Sequence, residues 1–302
     1  MGDPAGIGPE VIRSVLARPP SGARIRVIGD LPRAGSRRRV RPGIESGRAA
    51  YAYLEEAVRL LRRGEADALV TGPVSKEAIA RAGIRWRGHT EYLAEKFRCR
   101  TTMMFVTGRF RVSLVTTHWS IREVPRRLRK QEVVRVLEAT RQALARDFGI
   151  RRPRIGLAAL NPHGGEGGMF GDEEKEILVP AARRVPGVTG PLPSDSLMQA
   201  AARGEYDAVV ALYHDQALIP VKLIGWEQAV NVTLGLPFVR TSPVHGTAFD
   251  LAGKGRADPS SMRAAITLAI QLSRRHAASR ALPPPGSGFI RVRSERLEGT
   301  PG

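Results

Sequence analysis

The sequence predicts an α/β fold with a mostly parallel sheet covered by helices. Three observations predict it. Strand-like and helix-like signals alternate along the chain, the pattern of strands joined by crossover helices. Residues 155–160 and 208–212 are continuous apolar runs, as strands buried on both faces require. Three of the six histidines, His118, His163 and His214, each close an apolar run. Strand ends gather at one crevice in such folds, and ligands bind there.

The elements follow in order. Residues 25–28 are an apolar strand stopped at Gly29-Asp30. Tyr51, Leu54, Val58 and Leu61 fall on one helical face. Residues 67–71 form a strand running into Gly72-Pro73, and 102–106 and 111–115 read as a strand pair joined at 107–110. Residues 127–147 read as one long amphipathic helix with Leu128, Val133, Val134, Leu137 and Leu144 inward. Residues 173–184 and 260–274 are helical. The tail after Leu282 is rich in Pro, Gly, Arg and Ser and is expected to be loose.

Composition narrows the class. A chain of 302 residues, 42% hydrophobic and 25% charged, suits one large globular domain or two intimate ones. No run approaches the ~18–20 apolar residues of a membrane span. The start Met1-Gly-Asp-Pro is no basic-then-apolar leader, so a cytoplasmic protein is expected. The single Cys99 excludes an intrachain disulfide framework and fits a reducing compartment. Nothing beside Cys99 marks it as a nucleophile. The net charge of +19 comes from scattered arginines, 42 against 6 lysines. The densest clusters are Arg37-Arg-Arg39 with Arg41, and Arg126-Arg127 with Arg129-Lys130. Neither is interleaved with aromatics, so the charge reads as compositional bias and not as a dedicated nucleic-acid groove. Its expected effects are loose polyanion adhesion at low salt and steering of an anionic substrate.

The histidines carry the chemistry. Three imidazoles converging at one sheet edge make an open metal site, with positions left for substrate or water. Unrelated polar strand caps are the plainer alternative. Gly2-Asp-Pro-Ala-Gly-Ile-Gly-Pro-Glu10 is a turn feeding a helix, with Pro9 suited to the first turn. It reads equally as an anion-binding helix N-terminus or as a tight structural turn. Gly72-Pro-Val-Ser-Lys76 and Gly88-His-Thr-Glu-Tyr-Leu93 put Ser75, His89 and Thr90 at helix starts. The hydroxyls can cap those helices or meet a phosphate or carboxylate. Asn161-Pro-His-Gly-Gly-Glu-Gly-Gly168 is a loop whose glycines let backbone approach a ligand. Tyr213-His-Asp-Gln216 sets Asp215 beside His214, where a carboxylate can orient the imidazole. Lys222, Asn231 and Arg240 follow, a set suited to an oxyanion. Pro243-Val-His-Gly-Thr-Ala-Phe-Asp-Leu-Ala-Gly-Lys-Gly255 closely resembles the adenine-binding loop of isopropylmalate and isocitrate dehydrogenases. No Gly-x-Gly-x-x-Gly fingerprint stands in a strand-turn-helix context.

Taken together, these strings resemble the 4-hydroxythreonine-4-phosphate dehydrogenase (PdxA) family of vitamin B6 biosynthesis. The resemblance runs from Gly2 to about Ile270. It rests on Gly-Asp-Pro-Ala-Gly-Ile-Gly-Pro-Glu10, Gly-His-Thr-Glu91, Thr-Thr-His118, the 160–168 loop, Tyr-His-Asp-Gln216 and Asn231-Val-Thr-Leu-Gly-Leu-Pro-Phe-Val-Arg-Thr-Ser242. It implies the two-domain fold of the isopropylmalate and isocitrate dehydrogenases, with the active site in the interdomain cleft. Residues 1–110 plus 230–302 would form the larger domain, and 111–229 the second. The implied metal ligands are His118, His163 and His214. The implied substrate contacts are His89, Thr90, Lys222, Asn231 and Arg240. Gly235, His245, Gly246 and Thr247 would meet NAD, with NADP as the alternative. Lys222 is the candidate base, a metal-bound water its rival, and Asp215 supports the catalytic site. The metal could be zinc, cobalt, nickel, magnesium or manganese.

The implied reaction is metal-assisted oxidation of 4-phosphohydroxy-L-threonine to a 3-oxo acid that decarboxylates. The implied assembly is a homodimer with ligands from both chains in each site. Relatives that oxidise D-threonate or D-erythronate 4-phosphate, or a dihydrodiol dicarboxylate, are the alternatives within the family. A phosphate acyltransferase-like enzyme and a nucleic-acid-binding protein are the distant ones. Two departures stand out. Family members carry a strand ahead of Met-Gly-Asp-Pro, and the stretch between Asp30 and Arg48 is several tens of residues shorter here. Both are expected to alter the outer edge of the large domain.

Overall fold

Apolar segments drawn from residues 68–114 and 155–243 meet in one sheet. The structure, a computed structural model, describes residues 1–31 and 40–281. The Arg37-Arg-Arg39 cluster and the tail after Leu282 lie outside the described residues. The elements are α1 (Gly8–Leu16), α2 (Ile44–Arg62), β1 (Ala68–Val70), α3 (Lys76–Arg81), α4 (His89–Phe97), β2 (Thr102–Thr107) and β3 (Phe110–Leu114). Then come α5 (Val124–Arg127), α6 (Lys130–Arg146), β4 (Ile155–Ala158), α7 (Val179–Ala182), β5 (Val188–Leu192) and α8 (Ser194–Ala202). The last are β6 (Ala208–Ala211), α9 (His214–Gly225), β7 (Val230–Leu234), β8 (Val239–Pro243) and α10 (Ser260–Ala281).

The strand order is β1-β8-β7-β2-β3-β6-β4-β5. The outer pairs β1/β8, β3/β6, β6/β4 and β4/β5 are parallel. The central pairs β8/β7, β7/β2 and β2/β3 are antiparallel. Tight turns make two of the three reversals, β2/β3 and β7/β8. Thr107 pairs with Phe110 across the first, as expected from sequence. Gly235 makes the second at φ +90°, where an added Cβ would lie 2.3 Å from the Arg100 carbonyl oxygen. The sheet runs unbroken from β1 to β5. Its first four strands come from residues 68–107 and 230–243, and its last four from 110–211. The division expected near 110/111 and 229/230 therefore falls at the middle of one sheet.

Alternation along the strands sorts the core. On β6, Val209 and Ala211 face a layer with Leu197 and Val221, under α8 and α9. Ala208 and Val210 face Leu137, Leu144 and Leu178 on the other side. α10 covers β8 and reaches Ala265, Ala269 and Leu272 into that layer. Full burial of such side chains is worth about 1.5–3 kcal/mol each. Among the described residues no helix is long and apolar enough to cross a membrane.

Two local expectations are corrected. Residues 25–28 are not a paired strand. They stand off from β1 across a groove of about 1030 Å³ lined by Ile12, Leu16, Ile25, Val27, Leu54 and Ile266. Paired with no strand of the sheet, this extended segment gains no ladder. The Met1 ammonium donates to the Ile28 carbonyl at 3.1 Å, and burial pushes its pKa down to about 6. Second, the 127–147 helix begins only at Lys130, because Leu128 and Arg129 are extended between α5 and α6. That break turns Leu128 fully into the core. Residues 173–184 are helical as expected, through Ala182: a π turn, Glu174–Leu178, runs directly into short α7.

Candidate active site

Strand order decides which histidines can meet. β3, β6 and β4 are adjacent and parallel, so their C-terminal ends share one edge. His118 lies four residues beyond β3, and His214 opens α9 just after β6. Their ring centroids are 5.8 Å apart. The His214 Nδ1 hydrogen-bonds the Asp215 carboxylate at 2.7 Å. A neutral imidazole donating from Nδ1 keeps its lone pair on Nε2, the atom that binds a metal. Burial, then the nearby positive charge of Lys76 and His214, lowers the His118 pKa, which favours the neutral ligand form.

The third histidine is held elsewhere. β6 lies between β3 and β4, so the ends of those two strands are roughly 10 Å apart. His163 is exposed, at φ +53°, in the 3-10 segment Pro162–Gly168. The base of this loop is rigid. The buried Glu174 carboxylate accepts the Leu160 and Asn161 N–H groups, each at 2.8 Å, and the Asn161 side-chain amide at 2.9 Å. Among the described residues no three His, Cys, Asp or Glu side chains are grouped to hold a metal ion. Convergence of all three imidazoles within one chain is therefore not found: two meet and one does not.

A second cluster lies on β7 and β8. Asn231 pairs with Ser242, and Thr233 with Arg240. These four alternate positions share one face of the sheet. The Arg240 guanidinium is buried and donates to the Thr233 and Thr71 hydroxyls at 2.9 and 2.6 Å. Burial lowers its pKa to about 10, with Glu91 pulling the other way. Its Nε and the Asn231 Oδ1 are buried without a protein partner. A buried donor and a buried acceptor left open suit a ligand that carries oxyanions and hydroxyls.

His89 is the first residue of α4, after Gly88. Burial, then the charges of Arg240, the N-terminal ammonium and Lys76, holds its pKa well below the usual histidine range. It therefore enters the site neutral. Its ring meets Trp86 edge-on at 5.4 Å. Thr90 follows inside the first turn, half-buried, while Ser75 caps α3 by accepting the Ala78 N–H. Two residues not named as candidates join the clusters. Lys76 acts on both His89 and His118, and Glu91 on both His118 and Arg240. Each closes a string already singled out, Gly-Pro-Val-Ser-Lys76 and Gly-His-Thr-Glu91.

The loop after β8 carries His245, Gly246 and Thr247. The His245 Nδ1 lies 3.1 Å from the Gly246 carbonyl, and its buried Nε2 has no protein partner. An open imidazole nitrogen beside exposed Gly246 fits a nucleotide edge. Two candidates stand apart. Gly235 turns the chain at the far end of β8 from this loop. Lys222 is exposed and stacks over Trp226 at 4.8 Å. It lies eight residues along α9 from His214, about 12 Å at the helical rise.

Comparison with known proteins places most of the chain in one family. The family model described as pyridoxal phosphate biosynthetic protein PdxA matches residues 23–269. A 4-hydroxythreonine-4-phosphate dehydrogenase of Geobacter metallireducens is 44% identical, covering 91% of this chain and 94% of its own. That alignment spans 320 positions against 302 residues here, so the relative carries residues this chain lacks. A crystal structure of 4-hydroxythreonine-4-phosphate dehydrogenase from Klebsiella pneumoniae superposes with a TM-score of 0.77 at 36% identity, over 90% of this chain and 96% of its own. A terephthalate 1,2-cis-dihydrodiol dehydrogenase from Burkholderia xenovorans LB400 superposes at 0.64 with 30% identity, over 89% and 96%.

Proposed function

The chain belongs to the PdxA family of pyridoxal phosphate biosynthetic proteins, and from that premise we propose an NAD- and divalent-metal-dependent dehydrogenase of 4-phosphohydroxy-L-threonine. The product is the 3-oxo acid, which then loses CO2. One observation carries the reading. Two neighbouring imidazoles, His214 oriented by Asp215, stand at the sheet edge, and the buried Arg240 Nε and Asn231 Oδ1 are left without a protein partner on the same sheet. A metal-ligand pair beside an oxyanion pocket is what a phosphorylated hydroxy acid needs.

The residues divide the work. Arg240, Asn231, His89 and Thr90 bind the phosphate and carboxylate and hold the reacting carbon still. His118 and His214 would hold the cation. A divalent cation there supplies Lewis acidity toward the substrate hydroxyl as hydride passes to NAD. His245, Gly246 and Thr247 would seat the adenosine half of the cofactor, NADP being the alternative. Lys222 is the candidate base for the hydroxyl proton, with water as its rival.

His163 and Lys222, both exposed and apart from the pair, fit a homodimer with a shared site in which each serves the neighbouring protomer. Exposed apolar side chains beside them support this: Met169 and Phe170 near His163, and Leu223, Ile224 and Trp226 near Lys222. The two lobes, 1–110 plus 230–302 and 111–229, would flank the site.

The test is NADH formation from 4-phosphohydroxy-L-threonine before chelation, after it, and after divalent-metal add-back. Turnover that vanishes and returns supports the reading. Turnover indifferent to a strong chelator would sink the metal role. A protein that binds metal and NAD yet turns over only D-threonate 4-phosphate, D-erythronate 4-phosphate or a dihydrodiol dicarboxylate would be a relative of different specificity.

A further inference from the structure

We propose that Glu10 is a positioning residue for the loop after β8, and that the Gly2-to-Glu10 string is the seat of that loop. The inference rests on the reading of His245–Thr247 as the NAD site. From sequence the string was open between an anion-binding helix start and a structural turn. Its hydrogen bonds point to a third use. The Ile7 N–H, at the start of α1, donates to the Thr247 carbonyl at 2.9 Å. One turn on, the two Glu10 carboxylate oxygens accept the Gly253 N–H at 2.9 Å and the Ala257 N–H at 3.0 Å. Both ends of the loop are thus tied to one stretch of four residues, from the opposite end of the chain.

The contact demands its sequence. A Cβ at Gly6 would lie 2.8 Å from the Thr247 carbonyl oxygen, so only glycine lets the strands of backbone close. Ile7, Val11 and Ile12 pack with Ala248, Leu251 and Ala257 beneath the loop. The loop's own turns are short-range, from Leu251 and Ala252 to Ala248 and from Lys254 to Leu251. These cannot set its position over the sheet. A carboxylate accepting two N–H groups can, and charged acceptors make the stronger hydrogen bonds. Glu10 touches no cofactor in this scheme. It fixes where His245–Thr247 stand before the nucleotide arrives.

The experiment compares the full chain with Glu10→Ala and Glu10→Gln. It reads NADH affinity by fluorescence, the KM values for NAD and hydroxy acid, kcat, and hydrogen exchange of residues 248–257. In Glu10→Ala the NADH Kd and the NAD KM should rise roughly 10- to 100-fold, the loss of hydrogen bonds to a charged group. kcat and the hydroxy-acid KM should stay within about twofold, and exchange should quicken in 248–257 alone. Glu10→Gln should recover part of the affinity, since its amide oxygen still accepts one N–H. A uniform fall of all constants with the melting temperature would overturn the proposal, as would an unchanged NAD KM. If the unsubstituted chain binds no NADH, the cofactor reading has failed. The exchange of 248–257 then still decides whether Glu10 positions the loop.

Discussion

At the β7–β8 end of the site Arg240 is buried and tied to Thr233 and Thr71, whereas at the β3–β6 end His118 and His214 stand near the surface. The first end is organised within one chain: its geometry is held by strand register and by buried hydrogen bonds. The second has two imidazoles with a carboxylate bonded to one of them, and among the described residues no third metal-ligating group completes the set. The difference teaches where each half gets its order. Oxyanion binding needs fixed donors in a dry pocket, and a sheet core supplies these. Metal binding tolerates surface loops, because the ion itself gathers its ligands.

The contrast can be broken at several points. The largest effect is expected at Arg240. Arg240→Met should cut kcat/KM for the phosphorylated substrate by roughly 10²- to 10⁴-fold, as two or more charged hydrogen bonds would do. Steady-state kinetics on a folded variant checks it. A loss of stability with KM unchanged would make Arg240 structural and erase the contrast.

Next comes the metal end, proposed to be divided between two protomers. His118→Ala and His163→Ala should each be nearly inactive alone. Dissociated and mixed, they should regain about a quarter of the original activity, since half of the random dimers hold one intact shared site. No recovery from mixed and demonstrably exchanged chains would confine each site to one protomer. A smaller loss is expected at Asp215. Asp215→Asn should weaken metal affinity about 10- to 100-fold by loosening the His214 orientation, read by competition with a chelating dye. Unchanged affinity would mean that His214 is held by its backbone alone.

The smallest effect concerns acid. His89 is half-buried, and desolvation with the positive charge around it lowers its folded pKa, so the native state resists its protonation while the unfolded state does not. Stability is therefore full above about pH 6.5 and is lost as pH falls from there toward the folded value, by at most ~1.4 kcal/mol per pH unit for one proton. His89→Asn should flatten that part of the profile in urea unfolding series at stepped pH. An identical slope would show that His89 is not the group that titrates.

Much of the fold was legible because burial leaves local marks. The 155–160 and 208–212 runs became β4 and β6, and the Thr107-Gly-Arg-Phe110 turn joined β2 to β3. The 25–28 run carried the same mark and failed, because a strand needs a paired strand beside it and the sheet ends at β1. The His214–Asp215 bond was legible too, since neighbours in sequence are neighbours in space. Lys76 and Glu91 were not singled out, because their value lies in what other elements bring near them. Gly235 makes the β7–β8 turn close against the Arg100 carbonyl, a packing constraint that no local pattern announces.

By itself the sequence determined the α/β class, the family, the histidines at three strand ends and the glycine-rich loops around them. Those properties follow from local patterns of polarity and chain flexibility. Tertiary structure alone decided that His118 and His214 meet while His163 stands apart, because strand order is set by which apolar faces pack together. It alone decided that Arg240 is buried against Thr71, 169 residues away, and that Glu10 reaches Gly253 and Ala257. Contacts of such sequence separation leave no periodic trace in the chain, and only the closing of the sheet brings them together.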